Sequence, residues 1–139
     1  MRRIIKRTSV GIMGLAAMLV AGDLLARESA ESAESAEYKR GRLLYIQCRA
    51  CHDLQPSPLE KVGPNLRGLM NRAAGADPEF SYSAALSRAK LVWDRATLDR
   101  WLTRPGELVP GNTMAFAGIA NAADRSALIA YIESESKPR

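Results

Sequence analysis

The pentapeptide Cys48-Arg49-Ala50-Cys51-His52 constrains this 139-residue chain more than any other stretch, because it holds both cysteines and the only histidine. A C-x-x-C-H sequence is typical of the covalent attachment site of a c-type haem. Residues three apart lie on one face of a helix, so Cys48 and Cys51 can both reach one porphyrin and form thioethers with its two vinyl groups. His52 follows directly and can bind the iron as its proximal ligand.

Three other interpretations of the cysteine pair stay open at this point. In an oxidising compartment two cysteines form a disulfide by default. A thioredoxin-like dithiol is the second alternative, although such motifs accompany a βαβ pattern and no strand-rich stretch flanks this one. A zinc site is the third, but one histidine and two cysteines leave a tetrahedral site one ligand short unless a carboxylate joins. The residues favour haem over all three.

Residues 1–26 predict a signal peptide. A basic start is followed by the apolar run 10–21, which is too short to span a bilayer comfortably. Ala26 closes one of two small-residue stretches that suit a signal peptidase, and Asp23 would be costly inside a spanning helix. An uncleaved anchor is the alternative, because apolar residues resume at Leu24. The expected location is the periplasm, reached by export.

Residues 27–37 repeat Glu-Ser-Ala and predict a flexible linker, since nothing in them can bury apolar surface. The folded domain is expected over residues 38–139. Aromatic residues make up only 6% of the chain, so a small domain needs another source of apolar contact, which a buried haem would supply. The net charge of +5 comes without basic runs interleaved with aromatic residues, so nucleic acid is not an expected partner.

The spacing of apolar residues predicts an all-α domain without strands. The first helix is expected from Tyr38 to Cys51, with Gly41 and Tyr45 on its buried face, and it would deliver the cysteine motif. A loop with four proline and glycine residues follows it, up to Asn65. The later helices are expected at residues 83–89, at residues 95–103 between a cap at Asp94 and a stop at Pro105-Gly106, and from a cap at Asn121 or Asp124 to Ser134.

Two further residues are candidates for completing an iron site. A metal-bound histidine normally donates its other ring nitrogen to an oxygen, and the Pro64 carbonyl is a candidate acceptor, with an ordinary turn as the alternative. Met114 is favoured over Met70 as the second axial ligand, because it lies in an apolar loop, whereas Met70 is typical of core packing. Ligation by His52 and Met114 would raise the reduction potential and leave substrate no open position, which favours electron transfer.

Taken together, these segments resemble the class I cytochromes c of the soluble mitochondrial and bacterial type, over nearly all of residues 38–139. The matching segments are Gly41 with Tyr45, Cys48-Arg49-Ala50-Cys51-His52, Gly63-Pro64-Asn65-Leu66, Phe80-Ser81-Tyr82, Val92-Trp93, Thr97-Leu98, Pro110-Gly111, and residues 114–119 and 128–131. The resemblance implies the class I cytochrome c fold, with helices wrapped around one covalently bound haem c. It also implies that Tyr82 and Trp93 hydrogen-bond a buried haem propionate, and that Phe116 lies beside the exposed haem edge.

The sequence departs from that family in three places. Trp101 stands where many relatives have a tyrosine that hydrogen-bonds the axial methionine sulfur. Asn112-Thr113 replaces the common Thr-Lys before the methionine. The lysine ring that guides partners of the mitochondrial proteins is thin, so their partner surface is not carried over. The lysines that remain after the first 26 residues are Lys39, Lys61, Lys90 and Lys137.

The sequence therefore predicts an exported, monomeric, mono-haem electron carrier and not an enzyme. It would take electrons from a quinol-oxidising complex or a dehydrogenase and pass them to an oxidase or reductase of a respiratory chain. Contact with the membrane is expected only through such partners or through an uncleaved leader. Two alternatives stay open: a cytochrome c subunit of a periplasmic dehydrogenase, and a haem-based gas sensor in which Met114 is displaced from the iron.

Overall fold

The computed structural model describes residues 36–138, which form helices joined by loops. The helices are α1 (residues 36–49), α2 (Ala84–Ser87), α3 (Arg95–Thr103), α4 (Pro105–Leu108) and α5 (Ala122–Glu135). Between residues 36 and 138 there is no strand, only an isolated antiparallel bridge between Ala73 and Val92. The prediction of an all-α domain is confirmed. The leader and most of the linker, up to residue 35, lie outside the described residues.

The ends of α1 differ from the predicted ones. The helix includes residues 36 and 37, which the sequence assigns to the linker, and it stops at residue 49, before Cys51. A tight turn continues it, because the amides of Cys51 and His52 both donate to the Cys48 carbonyl, at 3.0 and 2.9 Å. The cysteine motif thus occupies the last turn of α1 and the turn that follows.

Side-chain caps begin the two longer helices after the motif. Asp94 accepts a hydrogen bond from the Thr97 amide at 2.7 Å and starts α3, as predicted. Asn121 accepts from the Asp124 amide at 3.1 Å, so Asn121 is the cap of α5. The prediction for Pro105 is incomplete: α3 ends at Thr103, but Pro105 then begins the short helix α4. Proline suits a first helical turn, where its missing N–H would have no partner in any case.

Helices α1 and α5 touch through their backbones. A Cβ added to Gly41 would lie 2.7 Å from the Tyr131 Cβ and well inside the contact distance of the Ala127 carbonyl oxygen. Beside this crossing the rings of Tyr45 and Tyr131 have centroids 5.6 Å apart. The crossing holds the cysteine motif against a core that α3 and α5 share. The large hydrophobic side chains that α3 and α5 bury in this core are Leu98, Trp101, Leu102, Leu128, Ile129 and Ile132.

None of the helices in the described part of the chain combines the length and the apolar character that crossing a membrane requires.

Candidate haem site

A cavity of about 350 Å³ lies where the end of α1 and the face of α3 meet the long loops. This volume falls within the range of roughly 300–1,000 Å³ that cofactor and ligand sites occupy. All the residues predicted for the site line it: Cys48, Cys51, His52, Pro64, Tyr82, Trp93 and Met114. Met70, the rejected ligand, packs against the hydrophobic core and does not line the cavity.

The histidine is held by the loop that follows the motif. His52 is buried, and its Nδ1 lies 2.7 Å from the carbonyl oxygen of Pro64. A carbonyl can only accept, so Nδ1 must donate, and Nε2 is left to bind a metal. Burial lowers the pKa of His52 below its usual 6.5, and the bond to Pro64 opposes this only in part. The imidazole is therefore neutral at neutral pH, the form that binds iron.

Two neighbours fix the backbone around this histidine. The Gly63 amide donates to the Cys51 carbonyl at 3.0 Å, and the Tyr45 hydroxyl donates to the His52 carbonyl at 3.0 Å. Gly63 has to be glycine, because an added Cβ would lie 2.7 Å from the His52 Nδ1 and 2.9 Å from the Cys51 carbonyl oxygen. The sequence showed Gly63 only as part of a turn, since its contact with the histidine ring depends on how the loop folds back.

The surroundings of the two cysteines can be compared with what a disulfide, a reactive dithiol or a zinc site requires. Cys48 and Cys51 are not joined in a disulfide. Burial raises the pKa of the Cys48 thiol to about 11, whereas reactive dithiols have lowered pKa values. Among residues 36–138, no three His, Cys, Asp or Glu side chains come together in a group that could hold a metal ion. The structure therefore offers no support for a reactive dithiol or a zinc site in the described residues.

The loop that carries Met114 is shaped by Asn112. The side chain of Asn112 accepts from the Met114 amide at 3.0 Å and donates to the Val109 carbonyl at 2.9 Å. This closes a tight turn that presents the half-buried Met114 to the cavity. Phe116 lines the same wall, and its amide donates to the Met114 carbonyl at 2.9 Å. A thioether and an imidazole, from segments far apart in the chain, thus face one cavity.

Sequence reasoning missed Arg72, which alone among the described residues lining the cavity carries a permanent charge. Its guanidinium donates to the carbonyl oxygens of Arg67 and Asn65, at 3.1 and 3.0 Å. Burial raises the pKa of Tyr82, and the positive charge of Arg72 partly opposes that rise. A cation and a phenol in the wall of an apolar cavity suit an anionic group such as a propionate. No local pattern marks this arginine.

Trp93 and Trp101 form one corner of the cavity. Both are buried, and their rings meet edge to face with centroids 5.3 Å apart. The bulk of the Trp101 indole is therefore accommodated by packing on Trp93.

The residues around the cavity fit a covalently bound haem. Two thiols and a neutral imidazole stand on adjacent turns, a thioether faces the same space, and an arginine and a tyrosine can receive the propionates. The remaining lining is mainly apolar, as a porphyrin requires. The apolar side chains are Val62, Leu66, Leu69, Phe80, Leu86, Leu98, Leu102, Ala115, Phe116 and Ile132.

Comparison with known proteins shows the family of the chain. No protein-family model matches the chain. Cytochrome c2 of Rhodoblastus acidophilus is 41% identical over 92 residues, covering 66% of this chain and 86% of the relative. Cytochrome c type-1 of Ascaris suum is 41% identical over 102 residues, covering 73% and 90%. The solved structure of cytochrome cH from Methylobacterium extorquens is 34% identical with a TM-score of 0.65, covering 70% of this chain and 97% of that one. The chain belongs to the class I cytochromes c, electron carriers that hold one covalently bound haem c.

Proposed function

We propose that this cytochrome c is exported to the periplasm and shuttles single electrons between the partners of a respiratory chain. The observation that carries the proposal is that His52 and Met114 line the same cavity. When bound there, the haem supplies an iron centre that changes its charge by one electron. With both His52 and Met114 holding the iron, small molecules would find no open coordination site, which favours electron transfer over oxygen or peroxide chemistry.

Each site residue has a distinct task in this proposal. Cys48 and Cys51 anchor the porphyrin covalently and His52 binds the iron, oriented by the Pro64 carbonyl at 2.7 Å. Met114 would hold the iron from a loop that Asn112 keeps in a turn.

The haem propionates would require hydrogen-bond donors and a positive charge from the cavity wall. Tyr82 and Trp93 would donate hydrogen bonds to a propionate, and Arg72 would balance its charge, which lets a carboxylate be buried at a tolerable cost.

The cellular setting proposed for the protein follows from its N-terminal sequence. Residues 1–26 would be the export signal or an uncleaved anchor, residues 27–37 a tether, and residues 38–139 the cytochrome domain. Electrons would arrive from a quinol-oxidising complex or a dehydrogenase and leave to an oxidase or reductase. A monomer suits this role, because redox encounters bury small surfaces and have to be transient.

The ligand assignment is tested by the visible spectrum and the reduction potential of the holoprotein. Ferric wild type should show a methionine–iron charge-transfer band at neutral pH. Met114→Leu should abolish the band and lower the potential by about 0.1 V or more, a fraction of the roughly 0.8 V that axial ligation spans. Met70→Leu is the matched control, since Met70 packs in the core, and it should keep both properties.

Other results would contradict the proposal. A band that survives in Met114→Leu would mean that another group binds the iron. Rapid binding of carbon monoxide by the ferrous wild type would favour the gas sensor, because it requires that Met114 leave the iron readily. Stable co-purification with a dehydrogenase would favour the subunit role over that of a free shuttle.

A further inference from the structure

Three of the four tyrosines in the chain form one column across the contact between α1 and α5. The rings of Tyr38 and Tyr131 meet edge to face with centroids 5.2 Å apart, and those of Tyr131 and Tyr45 lie 5.6 Å apart. Both distances are those of directly packed aromatic pairs, about 4.5–7 Å. The column is therefore a continuous path of oxidisable rings.

The two ends of this column lie in opposite surroundings. Tyr45 is only 5% exposed, and its hydroxyl donates to the carbonyl oxygen of His52 at 3.0 Å. Tyr38 is 37% exposed and lies in the first turn of α1. The column thus leads from the backbone of the residue proposed to bind the iron to the surface of the domain.

The hydroxyl groups at the two ends also differ in what accepts their hydrogen bonds. Tyr38 donates to a carboxylate oxygen of Glu135 at 2.9 Å, whereas Tyr45 donates to an amide carbonyl. A carboxylate can take up a proton, and an amide carbonyl only accepts a hydrogen bond. An oxidised phenol is strongly acidic, so a tyrosine loses an electron most readily where a base receives its proton. Within residues 36–138, Tyr38 is the one member of the column that bonds a carboxylate.

Packing of α1 on α5 does not by itself require tyrosine at these positions. Phenylalanine rings would fill almost the same space and keep the same edge-to-face contacts. They could neither be oxidised at a moderate potential nor pass a proton to Glu135. The hydroxyl groups therefore give the column a chemical capacity beyond its role in packing.

We propose that Tyr45, Tyr131 and Tyr38 carry an electron inward from the surface when hydrogen peroxide oxidises the ferrous holoprotein. Reduction of one peroxide to two waters takes two electrons and two protons. One electron comes from the ferrous iron, which becomes ferric, and Tyr38 gives the other through Tyr131 and Tyr45. The O–H bond of Tyr38 breaks, and its proton passes to Glu135 and then to water, while solvent supplies the second proton.

The products of this reaction are the ferric protein, two waters and a neutral radical on Tyr38. A radical at the exposed end of the column is accessible to small reductants, and the haem and its ligands are spared from oxidation. This activity goes beyond the proposed electron shuttle. It requires that the haem is held at His52 and does not require any redox partner.

The experiment treats ferrous holoprotein with hydrogen peroxide in the presence of a spin trap and locates the trapped radical by peptide mass spectrometry. Wild type should carry the adduct mainly on Tyr38. Tyr131→Phe keeps the ring but interrupts the column, so the Tyr38 adduct should fall several-fold and the haem absorbance should bleach faster. The matched control Ser126→Ala removes an exposed hydroxyl of α5 outside the column and should behave as wild type.

Glu135→Gln tests the proton acceptor separately from the path. The glutamine amide oxygen can still accept the hydrogen bond of Tyr38 but does not take up its proton. The Tyr38 adduct should therefore fall several-fold although all three rings are in place. Electron paramagnetic resonance of rapidly frozen samples should show a tyrosyl signal in wild type and lose most of it in both Tyr131→Phe and Glu135→Gln.

Three results would overturn the inference. An equal Tyr38 adduct in wild type and Tyr131→Phe would show that the oxidant attacks Tyr38 directly from solvent. An unchanged adduct in Glu135→Gln would show that the carboxylate does not receive the proton. Wild type with no adduct on Tyr38 would show that the electron comes from elsewhere. The methionine–iron band of each ferric protein, recorded before reduction and peroxide, reports separately whether the proposed iron ligation fails.

Discussion

Gly41→Ala should destabilise the domain by about 2 kcal/mol or more, although alanine is the better helix former. Moving from glycine to alanine in a helix gains about 1 kcal/mol of intrinsic propensity. Here the new Cβ would lie 2.7 Å from the Tyr131 Cβ and would overlap the Ala127 carbonyl oxygen. That oxygen belongs to the backbone of α5 and cannot rotate away, so α1 and α5 have to separate. The cost should therefore reach the upper end of the range for overpacking, about 3 kcal/mol or more, which exceeds the gain in propensity by about 2 kcal/mol.

Thermal unfolding of the holoprotein measures this effect, with an expected fall in Tm of about 10 °C or more for a domain of this size. Gly106→Ala is the matched control, because Gly106 lies in α4 and a Cβ there would meet nothing within 4 Å. Its Tm should stay the same or rise slightly. Equal Tm values for wild type and Gly41→Ala would show that the helix crossing tolerates a side chain. Gly41 does not line the cavity, so the haem spectrum of folded Gly41→Ala should match that of wild type.

Helix positions followed from the sequence where the signal is local. An aspartate or asparagine just before an apolar stripe predicts a cap, and Asp94 and Asn121 both accept hydrogen bonds from the first turn of their helices. Helix α4 was missed for an equally local reason. Proline breaks a helix that precedes it but also suits the first turn of a new one, and at Pro105 both apply.

Some residues of the candidate site could likewise be predicted from the sequence, and others could not. The cysteine motif is contiguous, and the chemistry of a bound histidine led to Pro64, which the structure finds 2.7 Å from His52. Arg72 and Gly63 were missed because their roles depend on contacts that form only when the loops fold against the rest of the domain. No periodicity or spacing records that Gly63 lies against an imidazole, or that Arg72 lines the cavity.

Arg125 is the clearest example of a residue whose role the sequence does not predict, because its one side chain joins three segments. It is only 9% exposed, and its Nε donates to the Asp99 carboxylate of α3 at 2.7 Å. Its Nη1 donates to the carbonyl oxygens of Ile119 and Ala120, each at 2.9 Å. Those carbonyls end the loop that carries Met114. A basic residue inside α5 would ordinarily be assigned to the solvent face, so its sequence gives no sign of this role.

The same end of the Met114 loop is anchored to α3 by its backbone. The Ile119 amide donates to the Leu102 carbonyl at 2.8 Å, and Gly118, with a φ of 105°, comes too close to the Thr103 carbonyl for any side chain. Arg125 therefore completes a set of contacts that keeps the loop closed over the cavity. Removing the guanidinium should release the carbonyl oxygens of Ile119 and Ala120. The hydrogen bond from the Ile119 amide to the Leu102 carbonyl should stay in place.

If Met114 binds the iron as proposed, Arg125→Ala should weaken that bond as well as the fold. We expect the free energy of unfolding to fall by about 2–3 kcal/mol, because the partners of the guanidinium are left without their hydrogen bonds. The partial exposure of Asp99 moderates this loss. The methionine–iron band of the ferric protein should then disappear at lower temperature and closer to neutral pH than in wild type. Absorbance titrations against pH and temperature measure both changes.

The control for Arg125→Ala is Arg95→Ala, which removes the other ion pair between α3 and α5. Arg95 pairs with Glu133 on the surface, and its removal should cost less than about 1 kcal/mol of stability. Asp99→Asn is the milder test if Arg125→Ala fails to fold, because it weakens the ion pair and keeps the bonds to Ile119 and Ala120. It should lower the Tm with little change in the pH midpoint of the band. If Arg125→Ala instead lowers the Tm and leaves the band's pH midpoint unchanged, Arg125 stabilises the helices alone and the loop holds Met114 without it.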